Sequence, residues 1–181
     1  MFKIMNMLKT PTLSTLVFLG RHYRQSFYVR ELARVLDIST GAASGQLRAL
    51  EESGLVTSEQ QGRTVLFRAA ISEPVVREAK IFATLLELSP LITPGKNGIR
   101  RMILFGSCAT GEDTMESDID LFIETDDRAA TASHLSVAAH DQFRKISPVI
   151  VTSAESGMLR TRDRPLFDRI QAGRLLAGEP L

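Results

Sequence analysis

Two short apolar runs, separated by a glycine-serine pair and a polar turn, constrain the fold of this chain most. The first run, residues 103–105, ends at Gly106 and Ser107, and after ten further residues Asp118 and Asp120 open the second run. Short apolar runs bounded by turn residues are typical of strands in an enclosed sheet. Side chains two apart on a strand share a face, so the two carboxylates converge. Converging carboxylates favour a cation, and we predict Mg²⁺ (or Mn²⁺), which takes oxygen ligands and leaves positions for phosphates.

The glycine-serine turn carries groups that suit a phosphate. Gly106 has no Cβ and lets an anion approach the backbone N–H groups, while Ser107 adds a hydroxyl donor. We therefore predict Gly106 and Ser107 as nucleotide-binding residues. The same segment has the two-glycine spacing of a P-loop, but Glu112 stands where that loop has its lysine. This reversal of charge argues against a P-loop.

These residues together resemble the signature of the minimal (MNT-type) nucleotidyltransferases of the DNA polymerase β superfamily, which include antibiotic nucleotidyltransferases and MNT-type antitoxins. The similar stretch covers roughly residues 99–152, and its matching positions are Gly106, Ser107, Ala109, Gly111, Glu112, Ser117, Asp118, Ile119, Asp120 and Leu121. The resemblance implies that Ser107 binds the phosphates of a nucleoside triphosphate. It also implies that Asp118 and Asp120 are catalytic residues and metal ligands.

The family's third carboxylate is missing where we expect it. By resemblance it lies on a following strand, shares a metal and helps to deprotonate the attacking hydroxyl, but residues 146–152 contain no acid. Losing a general base costs about two to four orders of magnitude in rate. Glu155 and Asp141 are the substitutes we consider, although each is more simply a surface carboxylate.

Three functions for the second half follow from this departure. The first is a regulator's domain that binds Mg-NTP as effector or substrate, with weak or no turnover, and this is the one we favour. The second is an active nucleotidyltransferase that transfers a nucleoside monophosphate to a hydroxyl of a protein or small molecule, with a toxin-like protein as partner, as the MNT-type antitoxins suggest by resemblance. The third is a docking module without a ligand.

The first half has the periodicity of two helices followed by a hairpin. Apolar residues at helical spacing predict a first helix, a short turn, and a second helix that is capped by Ser39 or Thr40 and ends at Gly54. The alternating segments 55–58 and 64–68 predict the two strands of a hairpin.

This order of elements resembles the winged helix-turn-helix of small bacterial and archaeal transcription regulators, with residues 47–56 similar to the end of the recognition helix and the start of the wing. The resemblance implies that the helix over residues 40–53 enters a DNA major groove and that Arg63 lies at the wing tip. Outward side chains on that helix suit base edges and phosphates, and we predict contacts from Thr40, Ser44, Gln46 and Arg48. Further expected contacts are Arg21, Arg24 and Arg30.

Charge agrees with a nucleic-acid partner for this half. Residues 1–70 carry nine Lys and Arg against five Asp and Glu, while the whole chain has a formal charge of +1. Basic side chains release condensed counterions when they contact phosphates, so the asymmetry favours double-stranded DNA. A protein-binding winged helix is the alternative.

We predict an α+β chain with a winged helix-turn-helix over residues 1–72, a linker helix and linker over 73–98, and a nucleotidyltransferase-like α/β domain with a small mixed sheet over 99–181. The linker helix, residues 74–88, has a wide apolar face that needs a partner. That partner is either the first helix, roughly residues 12–23, or a second copy of the chain. We expect a homodimer, because regulators of this class read two half-sites.

Composition excludes several classes. No apolar run reaches the length of a membrane helix, and the start of the chain lacks a signal sequence, so we expect a cytoplasmic protein. The single cysteine, Cys108, leaves no intrachain disulfide, and its expected role is to fill a small space.

Overall fold

The computed structural model of the chain describes residues 11–92, 98–139 and 144–180. The chain divides between Leu86 and Glu87 into two units, each with its own core. In order, the elements up to this boundary are α1 (Pro11–Arg21), β1 (Phe27–Tyr28), α2 (Val29–Val35), α3 (Thr40–Glu52), β2 (Val56–Gln61), β3 (Thr64–Ala69) and α4 (Pro74–Leu88), whose last two residues belong to the second unit. The predicted domain limits at residues 72 and 98 stay a prediction.

Local signals fix the helix-turn-helix. The turn after α2 passes through Asp37 in the left-handed region, with φ 52°. Ser39 caps α3, because its hydroxyl accepts a 3.1 Å hydrogen bond from the backbone N–H of Ala42. Beyond α3 the chain turns at Gly54, with φ 71°, a conformation that favours glycine. The predicted pair of helices is confirmed, and Ser39 is the cap.

The predicted hairpin is confirmed as the wing. Strands β2 and β3 pair antiparallel and close at Gln61 opposite Thr64, so that Gly62 and Arg63 form a two-residue turn. Strand β1 pairs with the other side of β3, giving the order β1-β3-β2. One core joins all these elements and contains, among others, Leu19, Phe27, Leu32, Leu47, Val56, Phe67 and Val76.

Helix α1 covers part of the apolar face of α4. A Cβ placed on Gly20 would come within 3.2 Å of the Val76 and Lys80 side chains, so the two helices approach closely at this glycine. The Arg21 guanidinium donates a 3.1 Å hydrogen bond to the Thr84 hydroxyl, and Arg21 is only 7% exposed. The expectation that Arg21 faces DNA is therefore wrong, because its side chain is committed to the packing of α1 against α4.

The second unit is a four-stranded sheet with helices on both faces. Its elements after α4 are β4 (Ile99–Phe105), α5 (Ser107–Thr110), β5 (Ile119–Thr125), α6 (Arg128–Ala139), β6 (Ile146–Val151), α7 (Ser153–Arg162), α8 (Arg164–Gln171) and β7 (Arg174–Ala177). The strand order is β6-β5-β4-β7, in which β5 and β6 are parallel and the other neighbours antiparallel. The predicted α+β class and small mixed sheet are confirmed.

Strand alternation decides which residues face which helices. Helices α7 and α8 pack on the face that carries Phe105, Phe122 and Val149. The other face of β6 presents Pro148 and Ile150 to α6, where a cavity of about 230 Å³ remains. Within the described residues, no helix is long and apolar enough to cross a membrane.

Candidate nucleotide site and helix-turn-helix surface

The end of β4 and the start of β5 meet at the glycine-serine turn. Phe105 pairs with Asp120 across the two strands, and the next residue, Gly106, has φ 69° and ψ −157°. A Cβ at Gly106 would overlap the Asp120 carboxylate, so the turn and this carboxylate are in contact. Ser107 opens the short helix α5 directly after the turn. The predicted glycine thus occupies a position that only glycine fits.

A cleft of about 360 Å³ opens at this turn. It is lined by Gly106, Ser107 and Thr110 on one side and by Arg169 and Gly173 from the end of the chain on the other. Within the described part of the chain, the Ser107 hydroxyl makes no hydrogen bond to another side chain or backbone group. The hydroxyl is therefore available to an external acceptor.

The two aspartates have different surroundings. Asp118 accepts a 2.7 Å ion-pair hydrogen bond from Lys145, whose side chain is 76% exposed. Asp120 is 28% exposed and has a looser ion pair, 3.8 Å long, with the Arg169 guanidinium. Burial raises the pKa of Asp120, the Arg169 charge lowers it and the Asp118 charge raises it. The two carboxylates are thus close enough for the Asp118 charge to disfavour ionisation of Asp120.

This donor set fits one divalent cation. Asp118 and Asp120 supply hard carboxylate oxygens, and the ionised form of Asp120 is destabilised by burial and by its neighbour, which an added cation would reverse. Among the described residues, no group of three or more carboxylate, imidazole or thiol side chains could hold a metal ion. An ion held by Asp118 and Asp120 would need further oxygen ligands, which a phosphate chain can supply.

Strand β6 is the strand on which the third carboxylate is expected. Asp120 is in register with Ser147 on this parallel strand, so their side chains lie on the same face of the sheet. No residue of β6 is acidic.

Glu155, one of the two substitutes considered from the sequence, does not lie beside Asp120. Glu155 lies beyond the opposite end of β6, where it accepts hydrogen bonds from the Thr152 backbone and hydroxyl and pairs with Arg128. Ser147 and Val151 are four residues apart on β6, which is about 13 Å at about 3.3 Å per residue, and Glu155 follows Val151. Asp141 lies outside the described residues.

Two cations of the site were missed by the sequence analysis. Lys145 directly precedes β6, and Arg169 lies near the end of α8 with its guanidinium 5.4 Å from the centre of the Phe105 ring. Nothing in the local sequence distinguishes Arg169 from Arg160, Arg162 or Arg164, the cluster that is more conspicuous in the sequence. The docking of α8 on the sheet through Ile170 brings Arg169 to the cleft.

A buried ion-pair network supports the segment between α5 and β5. Arg144 is 4% exposed and donates to the Asp113 carboxylate at 2.8 Å and to the Glu87 carboxylate at 2.9 Å. The same guanidinium lies 3.4 Å from the Cys108 sulfur. Cys108 is buried and its thiol donates to the Asp118 carbonyl at 3.4 Å, so it fills space beneath the site as expected.

The predicted DNA-binding residues lie on helix α3 and in the wing turn. Thr40 and Arg48 are exposed on α3 and Arg63 is exposed in the wing turn, while Ser44 is half-buried. Gln46 accepts a hydrogen bond from the Thr15 hydroxyl, so its carbonyl is directed at α1. An open groove of about 900 Å³ beside Thr40 is lined by Arg30 and Arg34 of α2 and by Thr64 of the wing. The DNA contacts of all these residues stay predictions.

Comparisons with known proteins agree with this division. Residues 8–64 match the family model described as the MarR family, and residues 91–153 match the model described as a nucleotidyltransferase domain. The chain therefore combines a MarR-like winged helix-turn-helix, of the kind found in transcription regulators, with a nucleotidyltransferase domain.

Similar solved structures include the AntR antimony-specific transcriptional repressor, which is 19% identical over 50% of this chain and 79% of that chain, with a TM-score of 0.38. ZitR of Lactococcus lactis in its apo form is 23% identical over 51% of this chain and 74% of that chain, with a TM-score of 0.34. At these TM-scores no conclusion rests on either likeness. A search of curated proteins finds no match.

Proposed function

We propose that this chain is a DNA-binding transcription regulator whose second unit binds a nucleoside triphosphate together with Mg²⁺ or Mn²⁺, with weak or no turnover. The observation that carries the proposal is the contact between Gly106 and the Asp120 carboxylate beside the cleft. This contact favours binding, and the absence of an acid from strand β6, which pairs with β5 at Asp120, disfavours transfer.

Binding is supported by the chemistry of the cleft. Gly106 and Ser107 offer backbone and hydroxyl donors to phosphate oxygens, and Asp118 and Asp120 offer carboxylates to the ion that accompanies a triphosphate. When bound, that ion would neutralise the phosphates and hold them against the turn.

Weak turnover is supported by the missing acid. Transfer of a nucleotidyl group requires that the attacking hydroxyl lose its proton, which a carboxylate on the strand beside Asp120 would accept. Strand β6, which pairs with β5 at Asp120, carries no acid, and Glu155 lies beyond its other end. We therefore expect the nucleotide to act as an effector.

The test compares binding and transfer in the same preparation. Labelled nucleoside triphosphates with Mg²⁺ are mixed with the full chain, with and without cell lysate, and bound and covalently transferred label are counted separately. We expect Asp118→Ala and Asp120→Ala to lose binding, and Asp126→Ala, which removes a 57% exposed carboxylate paired with Arg100, to retain it.

Three results decide between the functions. Binding that is lost in both variants, without transfer, supports the proposed effector role. Transfer that is lost in Asp118→Ala instead supports the alternative, an active nucleotidyltransferase with a protein or small-molecule acceptor. Absence of binding by the wild type, or unchanged binding in Asp118→Ala, would exclude a nucleotide site at these aspartates.

We also propose that α3 and the wing bind double-stranded DNA. Arg48 and Arg63 are exposed on these two elements, and Arg30, Arg34 and Thr40 line the groove between them. Replacing Arg48 or Arg63 by alanine should weaken DNA binding. It should also reduce the slope of log K against log salt concentration by about one for each phosphate that the variant no longer neutralises. Arg77→Ala, an exposed arginine of α4 to which we assign no DNA phosphate, is the control. Equal effects of all three substitutions would contradict the assignment.

A homodimer is the assembly we propose, with residues 73–98 as the linker between a DNA-binding domain over residues 1–72 and a nucleotidyltransferase-like domain over residues 99–181. Val75 and Phe82 of α4 are 57% and 38% exposed and lie seven residues apart, so they share one side of the helix. Light scattering of the wild type and of the double variant Val75→Asp with Phe82→Asp tests this. A monomeric wild type would contradict it.

A further inference from the structure

The cleft contains a permanent positive charge, the Arg169 guanidinium, on the side opposite the glycine-serine turn. The Arg169 Nη2 atom lies 3.8 Å from the Asp120 carboxylate and 3.6 Å from the point where a Cβ on Gly106 would stand. It therefore faces both the turn that we assign to phosphates and the aspartate that we assign to the ion.

The pairing of Arg169 with Asp120 is loose when it is compared with another arginine of the same helix. Arg164 donates its Nε–H to both carboxylate oxygens of Asp168 at 2.8 and 3.0 Å, whereas Arg169 reaches Asp120 only at 3.8 Å. Both arginine side chains are 60% exposed. Arg169 is thus held near Asp120 but keeps donors for an incoming anion.

The Phe105 ring supports this guanidinium. The ring lies 5.4 Å from the Arg169 Cζ atom, a distance at which a guanidinium is attracted to an aromatic face. Phe105 is 3% exposed and belongs to the core of the sheet, so its ring is a rigid support. A guanidinium restrained in this way binds two oxygens of a phosphate with less loss of conformational freedom.

A second ion has no ligand at this point in the described residues. Two-ion phosphoryl sites use side-chain ligands to fix both ions, and strand β6, which lies beside Asp120, carries no carboxylate. A phosphate chain bound here would still carry charge that a single ion does not neutralise.

We propose that Arg169 binds the nucleotide's phosphates and supplies the positive charge that a second divalent ion would otherwise supply in this cleft. This inference rests on the proposed nucleotide binding and adds that the site takes one ion and one arginine. It assigns a binding role to a residue of α8, outside the glycine-serine turn and the aspartate pair.

The experiment measures nucleotide affinity and ion count on the full chain. Each of the four common nucleoside triphosphates is titrated with Mn²⁺ by calorimetry, and bound Mn²⁺ per chain is counted at saturation by electron paramagnetic resonance. The variants are Arg169→Gln, Arg169→Lys, the matched control Arg164→Gln, and Ser147→Asp. Thermal unfolding of each variant confirms that it is folded.

We expect one Mn²⁺ per nucleotide-loaded wild-type chain, and two in Ser147→Asp. Arg169→Gln should weaken nucleotide binding at least tenfold, Arg169→Lys less, because it keeps the charge but loses the planar fork. Arg164→Gln should stay within twofold of the wild type.

Two results would overturn the inference while leaving nucleotide binding intact: an affinity of Arg169→Gln within twofold of Arg164→Gln, or two Mn²⁺ ions in the wild type. Asp141 lies outside the described residues, and a second ion held with its help would raise the count to two. Absence of binding for all four nucleotides in the wild type would overturn the proposed function as well.

Discussion

Replacing Gly106 by alanine perturbs the candidate site with a single methyl group. The backbone at Gly106 has φ 69° and ψ −157°, a region that residues with a Cβ essentially never occupy. Forcing alanine into it costs about 1–3 kcal/mol. In addition, the new methyl group would overlap the Asp120 carboxylate, which must move away from the turn.

Two measurable effects follow from Gly106→Ala. Thermal unfolding of the second unit should shift down by at least about 4 °C, because 1 kcal/mol corresponds to about 4–8 °C in a unit of this size. Nucleotide affinity should fall at least about tenfold, because one hydrogen bond to a charged group is worth about 1.5–3 kcal/mol and 1.4 kcal/mol is a factor of ten.

Gly54→Ala separates backbone strain from the overlap with Asp120. Gly54 also has positive φ, 71°, but a Cβ there would meet open space. Its substitution should destabilise the first unit by about 1–2 kcal/mol and leave nucleotide affinity unchanged. The assay is isothermal calorimetry with Mn²⁺ and nucleotide, beside calorimetric unfolding. If Gly106→Ala lowers stability but binds nucleotide as the wild type does, the turn does not position Asp120 for binding.

Three further substitutions test other interactions. Arg144→Met should destabilise the second unit by about 3–5 kcal/mol, because it removes the 2.8 Å guanidinium partner of the buried Asp113 carboxylate; wild-type stability in urea would contradict this. The Thr152 backbone N–H and hydroxyl donate hydrogen bonds to the Glu155 carboxylate and lower its pKa. The ionised form of Glu155 therefore stabilises the fold. That contribution is present above the ordinary glutamate pKa and is lost as pH falls through the lowered value, so Glu155→Gln should destabilise at pH 7 but not in strong acid, as urea unfolding at both pH values would show. Lys145→Met should hardly change stability, because the lysine is mostly exposed, and should strengthen Mn²⁺ binding by freeing Asp118; unchanged Mn²⁺ affinity would contradict competition.

Local patterns in the sequence predict the framework of the site but not its charges. The apolar runs around Gly106 and Asp118 are strands β4 and β5, because period and turn residues are local signals. Arg169 is 49 residues beyond Asp120, and only the docking of α8 on the sheet brings the two within 3.8 Å. Gln46 of α3 is a second residue whose contact could not be predicted from local sequence. Its position on the helix indicated an outward side chain, but α1 packs beside it and the Thr15 hydroxyl donates a hydrogen bond to its carbonyl.

The groups that we propose for binding and the acid that turnover would need come from different parts of the sheet. The proposed binding groups lie at the end of β4, at the start of β5 and on α8, as Gly106, Asp120 and Arg169 show. The acid would come from β6, which carries none. Because the contacts among Gly106, Asp120 and Arg169 involve no side chain of β6, the proposed binding does not depend on an acid there, and a regulator needs only the binding.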